Sequence, residues 1–221
     1  MVDGAPLKIA VLISGRGSNM LALAEACQAG DYPVEVAAVI SNRPDAQGLT
    51  TAAGLGIATK VVEHTAFESR DAFDTALSKT IEASGADLVC LAGFMRLLGA
   101  PFVEHWRDRL INIHPSLLPA FKGLETHVQV LAAGARFTGC TVHFVRPAMD
   151  EGPIILQAAL AVDPDDTEDS LAARVLEQEH RIYPLAVRWI AENRVAVENE
   201  TVAVTGSSAS PDARISPSVT P

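Results

Sequence analysis

Short apolar runs alternate with helical stretches along most of this 221-residue chain, and that alternation restricts it to folds built on a mostly parallel sheet with helices on both faces. Strands are predicted over 8–14, 34–41, 58–62, 87–92 and 109–114, with helices over 18–28, 46–55 and 69–84 between them. Farther on, 125–133 reads as helix, 139–145 as a strand with Thr141, His143 and Val145 on one face, and 154–162 as a strand after the Gly152-Pro153 turn. A long helix is expected over 167–193, with Thr167 as N-cap and Glu168 and Asp169 at the positive end of its dipole. A hairpin follows over 194–205, turning at Glu198-Asn199. The shorter connections after the fifth strand point to an antiparallel extension, giving about seven strands in a Rossmann-like sheet.

Length favours one domain, 1–205. The stretch 206–221 is rich in Ser and Pro, has few apolar side chains to bury, and is expected to be a disordered tail. A net charge of −10 opposes the dense phosphate contacts of a nucleic-acid binder, while leaving room for one anionic ligand in a local nest. No apolar run reaches the length of a signal-peptide core or a membrane span. Cys27, Cys90 and Cys140 show no paired spacing and fit a reducing, cytoplasmic setting as core residues. The histidines lack zinc-ligand spacing, so no metal is assigned.

The chemistry concentrates in two segments. In Asn112-Ile113-His114-Pro115, the two-residue period puts the amide and the imidazole on one face of the fifth strand, and Pro115 ends the strand there. Ligands of open α/β sheets bind at such carboxyl edges. Ser14-Gly15-Arg16-Gly17-Ser18-Asn19 joins the first strand to the first helix, where backbone N–H groups favour a phosphate. It is neither a dinucleotide fingerprint, lacking the third glycine, nor a P-loop, lacking Gly-Lys-Ser/Thr. Asp150, in a glycine and proline turn, is ordinary as a turn former and becomes chemical only if its loop folds over His114.

Five segments, 11–19, 91–96, 112–119, 139–152 and 178–180, carry a resemblance to the folate-dependent glycinamide ribonucleotide formyltransferases over roughly residues 7 to 195. The resemblance implies transfer of a formyl group from 10-formyltetrahydrofolate to the glycyl amine of glycinamide ribonucleotide in purine biosynthesis, without metal. It implies a catalytic trio of Asn112, His114 and Asp150, and ribonucleotide contacts from Gly17, Ser18, Asn19 and Glu179. Folate contacts are implied at Arg70, Met95, Arg96, Leu97, Leu98 and Asn112, and at Arg146, Pro147, Ala148, Met149 and Asp150. Small-molecule substrates, a homodimer, and a division of the domain into a nucleotide-binding half over about 7–100 and a folate-binding and catalytic half over about 100–205 belong to the same implication.

Arg16 and Lys122 depart from the residues the resemblance leads one to expect, asparagine and proline, and would add positive charge near a substrate phosphate or a folate tail. Competing readings are another folate formyltransferase, a formyltetrahydrofolate hydrolase, and a catalytically silent nucleotide- or folate-binding module. Retention of Asn112, His114 and Asp150 opposes the last.

Overall fold

The structure is a computed structural model that describes residues 5–208 and 216. Its elements in chain order begin with β1 (Leu7–Ile13), α1 (Ser18–Cys27), β2 (Val34–Ser41), α2 (Gln47–Gly54), β3 (Thr59–Val61), α3 (Arg70–Ala83) and β4 (Leu88–Leu91). They continue with α4 (Ala100–His105), β5 (Leu110–His114), α5 (Thr126–Ala132), β6 (Phe137–Phe144), β7 (Ile154–Ala161), α6 (Glu168–Ala191), β8 (Val195–Glu198) and β9 (Thr201–Val204). One seven-stranded sheet has the order β3-β2-β1-β4-β5-β6-β7, and β8-β9 form a separate two-stranded hairpin. β1 to β5 pair in parallel, whereas β5-β6 and β6-β7 pair antiparallel, as the shortening connections predict. The tail expected over 206–221 lies outside the described residues except for 206–208 and 216.

The two-residue period of the strands divides the core. Ile9, Val11 and Ile13 of β1 join Ile111 and Ile113 of β5, Val142 of β6 and Val175, Tyr183 and Val187 of α6 on one face. Ala10 and Leu12 of β1 join Leu110 of β5, Phe73, Leu77 and Ile81 of α3, and Phe102 and Trp106 around α4 on the other. Asn112 and His114 therefore share the face of Leu110, beyond the apolar cover that α3 and α4 supply.

Local signals explain the helix ends. Ser69 caps α3 by accepting the Ala72 N–H, and Thr167 and Ser170 form a reciprocal capping box at the start of α6. The sequence gives no periodic signal for α4, because it has only six residues; Pro101 in its first turn starts it without costing a hydrogen bond.

Tyr183 bolts α6 to the sheet beside the site. Its buried hydroxyl donates to the Leu91 carbonyl at 2.9 Å, at the end of β4, with the Ile111 carbonyl at 3.4 Å. Tyr183→Phe is expected to lower the unfolding free energy by about 1 kcal/mol, the net worth of one such bond. Urea denaturation measures it, and an unchanged midpoint would remove the hydroxyl from the stability of this edge.

Candidate active site

Two loops at the carboxyl ends of the parallel strands frame the site. The first follows β1, where Gly17 takes a left-handed φ of 76° as the residue before α1. A Cβ there would lie 2.9 Å from the Gly48 Cα, so α2 and the loop are in backbone contact. Ser14 fixes the base of the loop, donating from its hydroxyl to Asn42 Oδ1 at 2.6 Å and accepting the Met95 N–H at 2.7 Å. These residues line a cleft of about 600 Å³, bordered by Arg16, Arg43, His64 and Arg96. The wall thus contains three guanidinium groups and, among its lining residues, no carboxylate.

Asn19 and Glu179 meet across α1 and α6. Asn19 Nδ2 donates to Glu179 Oε2 at 2.6 Å, both residues are buried, and Asn19 Oδ1 has no partner among the described residues. Burial pushes the Glu179 carboxyl above the ordinary glutamate range, opposed only in part by the Asn19 bond. Gly17, Ser18 and Asn19 line the cleft; Glu179 stands behind it, reached through Asn19.

The second group gathers at the end of β5. The β5-β6 register sets Asn112 opposite His143 and His114 opposite Thr141. Asn112 Nδ2 lies 3.3 Å from His143 Nε2, and His143 Nδ1 lies 3.0 Å from the Phe144 carbonyl. A carbonyl only accepts, so Nδ1 carries the proton and Nε2 accepts from the amide. Burial holds His143 below the ordinary histidine range and keeps it neutral for that role. The Asn112 amide is thereby oriented, with its second N–H left for a ligand. His143 is the residue that sequence reasoning misses: the strand period puts it on a face with Thr141, but the opposing register has no signature in the sequence.

His114 is 4 % exposed, with Nδ1 at 3.5 Å from Asp150 Oδ1 and Nε2 at 2.9 Å from the Phe121 carbonyl. The loop does fold over His114, which the sequence left open. Both ring nitrogens face acceptors, so an N–H at either position has a partner. Asp150 is left-handed (φ 51°), and its Oδ2 accepts the Gly123 N–H at 2.7 Å. Two residues on, a Cβ at Gly152 would sit 2.1 Å from the Phe144 carbonyl, so the turn tolerates no side chain there. Thr141 holds the segment after His114, donating to the Ser116 carbonyl at 2.7 Å and accepting the Leu118 N–H at 3.1 Å.

The remaining predicted residues divide. Met95 and Arg96 border the cleft at the β1–α1 loop, whereas Asn112, His114 and Asp150 do not line it. Met95, Leu97 and Met149 are exposed apolar side chains, as are Leu124 and Val128. Arg70 opens α3 as an exposed residue, Leu98 is half-buried, and Pro147 and Ala148 are exposed. Arg146 is 8 % exposed, and each of its nitrogens already donates within the protein: to Glu200, Asp108 and the Val145 carbonyl. Lys122 pairs with Glu151 at 2.7 Å, so its charge serves the rim of the Asp150 loop. Burial pushes the Cys140 thiol up to about 12 and Cys27 up to about 11, in keeping with cysteines that pack. Among the described residues no group of three or more His, Cys, Asp or Glu side chains is placed to hold a metal ion.

Residues 7–187 match the family model described as Formyl transferase. The chain is 46% identical over 200 residues to the phosphoribosylglycinamide formyltransferase of Escherichia coli K12, covering 90% of this chain and 94% of that protein. It is also 46% identical over 191 residues to the trifunctional purine biosynthetic protein adenosine-3 of Gallus gallus, covering 86% of this chain; it spans 19% of that protein's length. Among solved structures, glycinamide ribonucleotide transformylase 1 of Symbiobacterium toebii superposes with a TM-score of 0.89 at 49% identity, covering 91% of this chain and 95% of that one.

Raised Glu179 gives a pH dependence of known sign. The folded state holds the proton more tightly than the unfolded state, so stability is greatest below the ordinary glutamate range and falls as pH rises through the higher folded value. Glu179→Gln keeps an acceptor for Asn19 and removes the titration. Its stability relative to the parent protein is expected to rise between pH 4 and pH 8 in urea denaturation; a constant difference would show that the carboxyl titrates as an ordinary glutamate.

Proposed function

The chain belongs to the formyl transferase family, and from that premise we propose that it transfers the formyl group of 10-formyltetrahydrofolate to the glycyl amine of glycinamide ribonucleotide, a step of purine biosynthesis. The observation that carries this reading is the convergence at the end of β5: an oriented Asn112 amide, a buried His114, and the Asp150 carboxylate 3.5 Å from its imidazole. The phosphate loop supports it by offering backbone N–H groups and arginines to the ribonucleotide phosphate. By the resemblance Glu179, which Asn19 meets at 2.6 Å, is the acid that meets the substrate near its glycinamide end.

The exposed apolar side chains of Met95, Leu97 and Met149 suit the aromatic rings of a folate, and the exposed Arg70 suits its carboxylates. From Arg146 this reading takes main-chain contact alone, since its guanidinium is engaged elsewhere. Leu98, Pro147 and Ala148 complete the folate side.

As the amine attacks, negative charge grows on the formyl oxygen. The free N–H of Asn112 donates to that oxygen, and one such donor is typically worth about 2.7 to 4 kcal/mol in the transition state. His114 supplies the second donor at Nε2 by exchanging the Phe121 carbonyl for the formyl oxygen. Phe121 is itself left-handed (φ 53°), a conformation unfavourable for a bulky side chain, which makes that exchange cheaper. Asp150 keeps Nδ1 partnered throughout and, through water, helps carry the proton from the attacking nitrogen to the departing folate nitrogen. The free thiols of Cys27, Cys90 and Cys140 suit a cytoplasmic enzyme, and a homodimer belongs to the same reading.

Purified protein is expected to formylate glycinamide ribonucleotide from 10-formyltetrahydrofolate, followed by folate absorbance, with water and methionine-charged tRNA as rival acceptors. Turnover with water alone would make it a hydrolase. Asn112→Ala is expected to lower kcat by about 10² to 10³ and His114→Ala by roughly 10² to 10⁴. Both should leave ribonucleotide binding nearly unchanged by calorimetry, and near-parental turnover would remove that residue from the chemistry.

A further inference from the structure

Arg146 is a buried cation four residues before Asp150, and its partners come from two other parts of the chain. Nε donates to Glu200 Oε2 at 2.6 Å, and one terminal nitrogen donates to Asp108 Oδ1 at 2.7 Å and reaches Glu200 Oε1 at 3.3 Å. Glu200 belongs to the turn between β8 and β9; Asp108 lies between α4 and β5. Arg107 joins from the outside, 2.5 Å from Glu200 Oε1. Three connections are thus pinned on one guanidinium.

The backbone is bent to make this contact. Asp108 (φ 57°), Asn199 (φ 50°) and Glu200 (φ 58°) are all left-handed and none is glycine. Asp and Asn tolerate that region; Glu, with its longer side chain, gains no comparable local bond and gives up about 1 kcal/mol there. Such strain persists only where the surroundings over-determine it, and the ion pair to Arg146 is what the Glu200 conformation delivers. On the far side of Asp150 the loop is held by Lys122–Glu151 and by the Gly152 approach to Phe144. Asp150 therefore sits on a short span fixed at both ends.

We propose that Glu200, together with Asp108, is a positioning residue for the reaction: by clamping the Arg146 guanidinium it fixes the loop that aims the Asp150 carboxylate at His114. The proposal rests on the formyl-transfer reading and assigns the carboxyl-terminal hairpin a part in it. Glu200 touches no reacting atom in this scheme; its effect passes through Arg146 and Asp150.

The test is steady-state kinetics of the full chain. Glu200→Ala is expected to lower kcat by at least about fivefold, well inside the hundredfold that a misplacement of roughly 1 Å costs, with the ribonucleotide KM within about twofold of the parent. Glu200→Gln, which keeps one acceptor for Arg146, should fall between the two. In an Asp150→Asn background Glu200→Ala should cost less than about twofold, because the two act as one unit. A smaller fall than fivefold, a loss confined to KM, or an undiminished loss in the Asp150→Asn background overturns the proposal. Asp108→Asn, acting on the same guanidinium from another loop, decides by the same criteria if Glu200→Ala does not fold. Should the parent protein transfer no formyl group, the functional reading fails separately, and amide exchange over 148–152 then judges the clamp: faster exchange in Glu200→Ala supports it, and unchanged exchange overturns it.

Discussion

The site depends on the register of β5 between its two neighbours. Its parallel pairing with β4 and antiparallel pairing with β6 put Ile111 and Ile113 into the core under α6 and leave Asn112 and His114 on the opposite face, past the last apolar cover. A slip of one residue would bury the amide and imidazole among isoleucines and expose the isoleucines, so hydrophobic burial enforces the placement of Asn112 and His114. The same register delivers His143 to Asn112. Packing energy, spent on the sheet as a whole, thus orients a side chain that packs poorly itself.

Local periodicity made the fold largely legible. Each strand of the large sheet was placed to within a few residues, because a run such as Ile9 to Ile13, apolar at every position, has no solvent face and reads as a buried parallel strand. α4 escaped because six residues carry less than two turns of pattern. The hairpin is legible, and its turn falls one residue beyond the expected Glu198-Asn199, at Asn199-Glu200, where Glu200 meets Arg146, 54 residues earlier in the chain.

The site was legible to the extent that one segment carried it. Asn112 and His114 are two residues apart, and the loop at Gly17 announces itself by composition. Asp150 needed the fold to bring it to His114, and the Phe121 carbonyl at Nε2 has no side-chain signature because it is backbone. Arg146 shows what a single segment leaves unread: two carboxylates from distant loops meet its guanidinium, and no residue beside it in the chain announces them. Sequence position says which neighbours are close along the chain; charge satisfaction is decided across it.

The contact between Gly17 and Gly48 binds the history of two positions together. A Cβ at Gly17 would sit 2.9 Å from the Gly48 Cα, and one at Gly48 would sit 2.6 Å from Ile13 Cδ1 and 3.2 Å from the Gly17 Cα, so a side chain at either position presses α2 and the loop apart and shifts the N–H groups that start α1. Substitutions at the two sites are therefore not independent trials. This end of the molecule can drift through changes on the rim of the cleft, at Arg16 or Arg43, far more freely than through its floor, and the rim is where variants of this protein with altered ligand preference would have to begin.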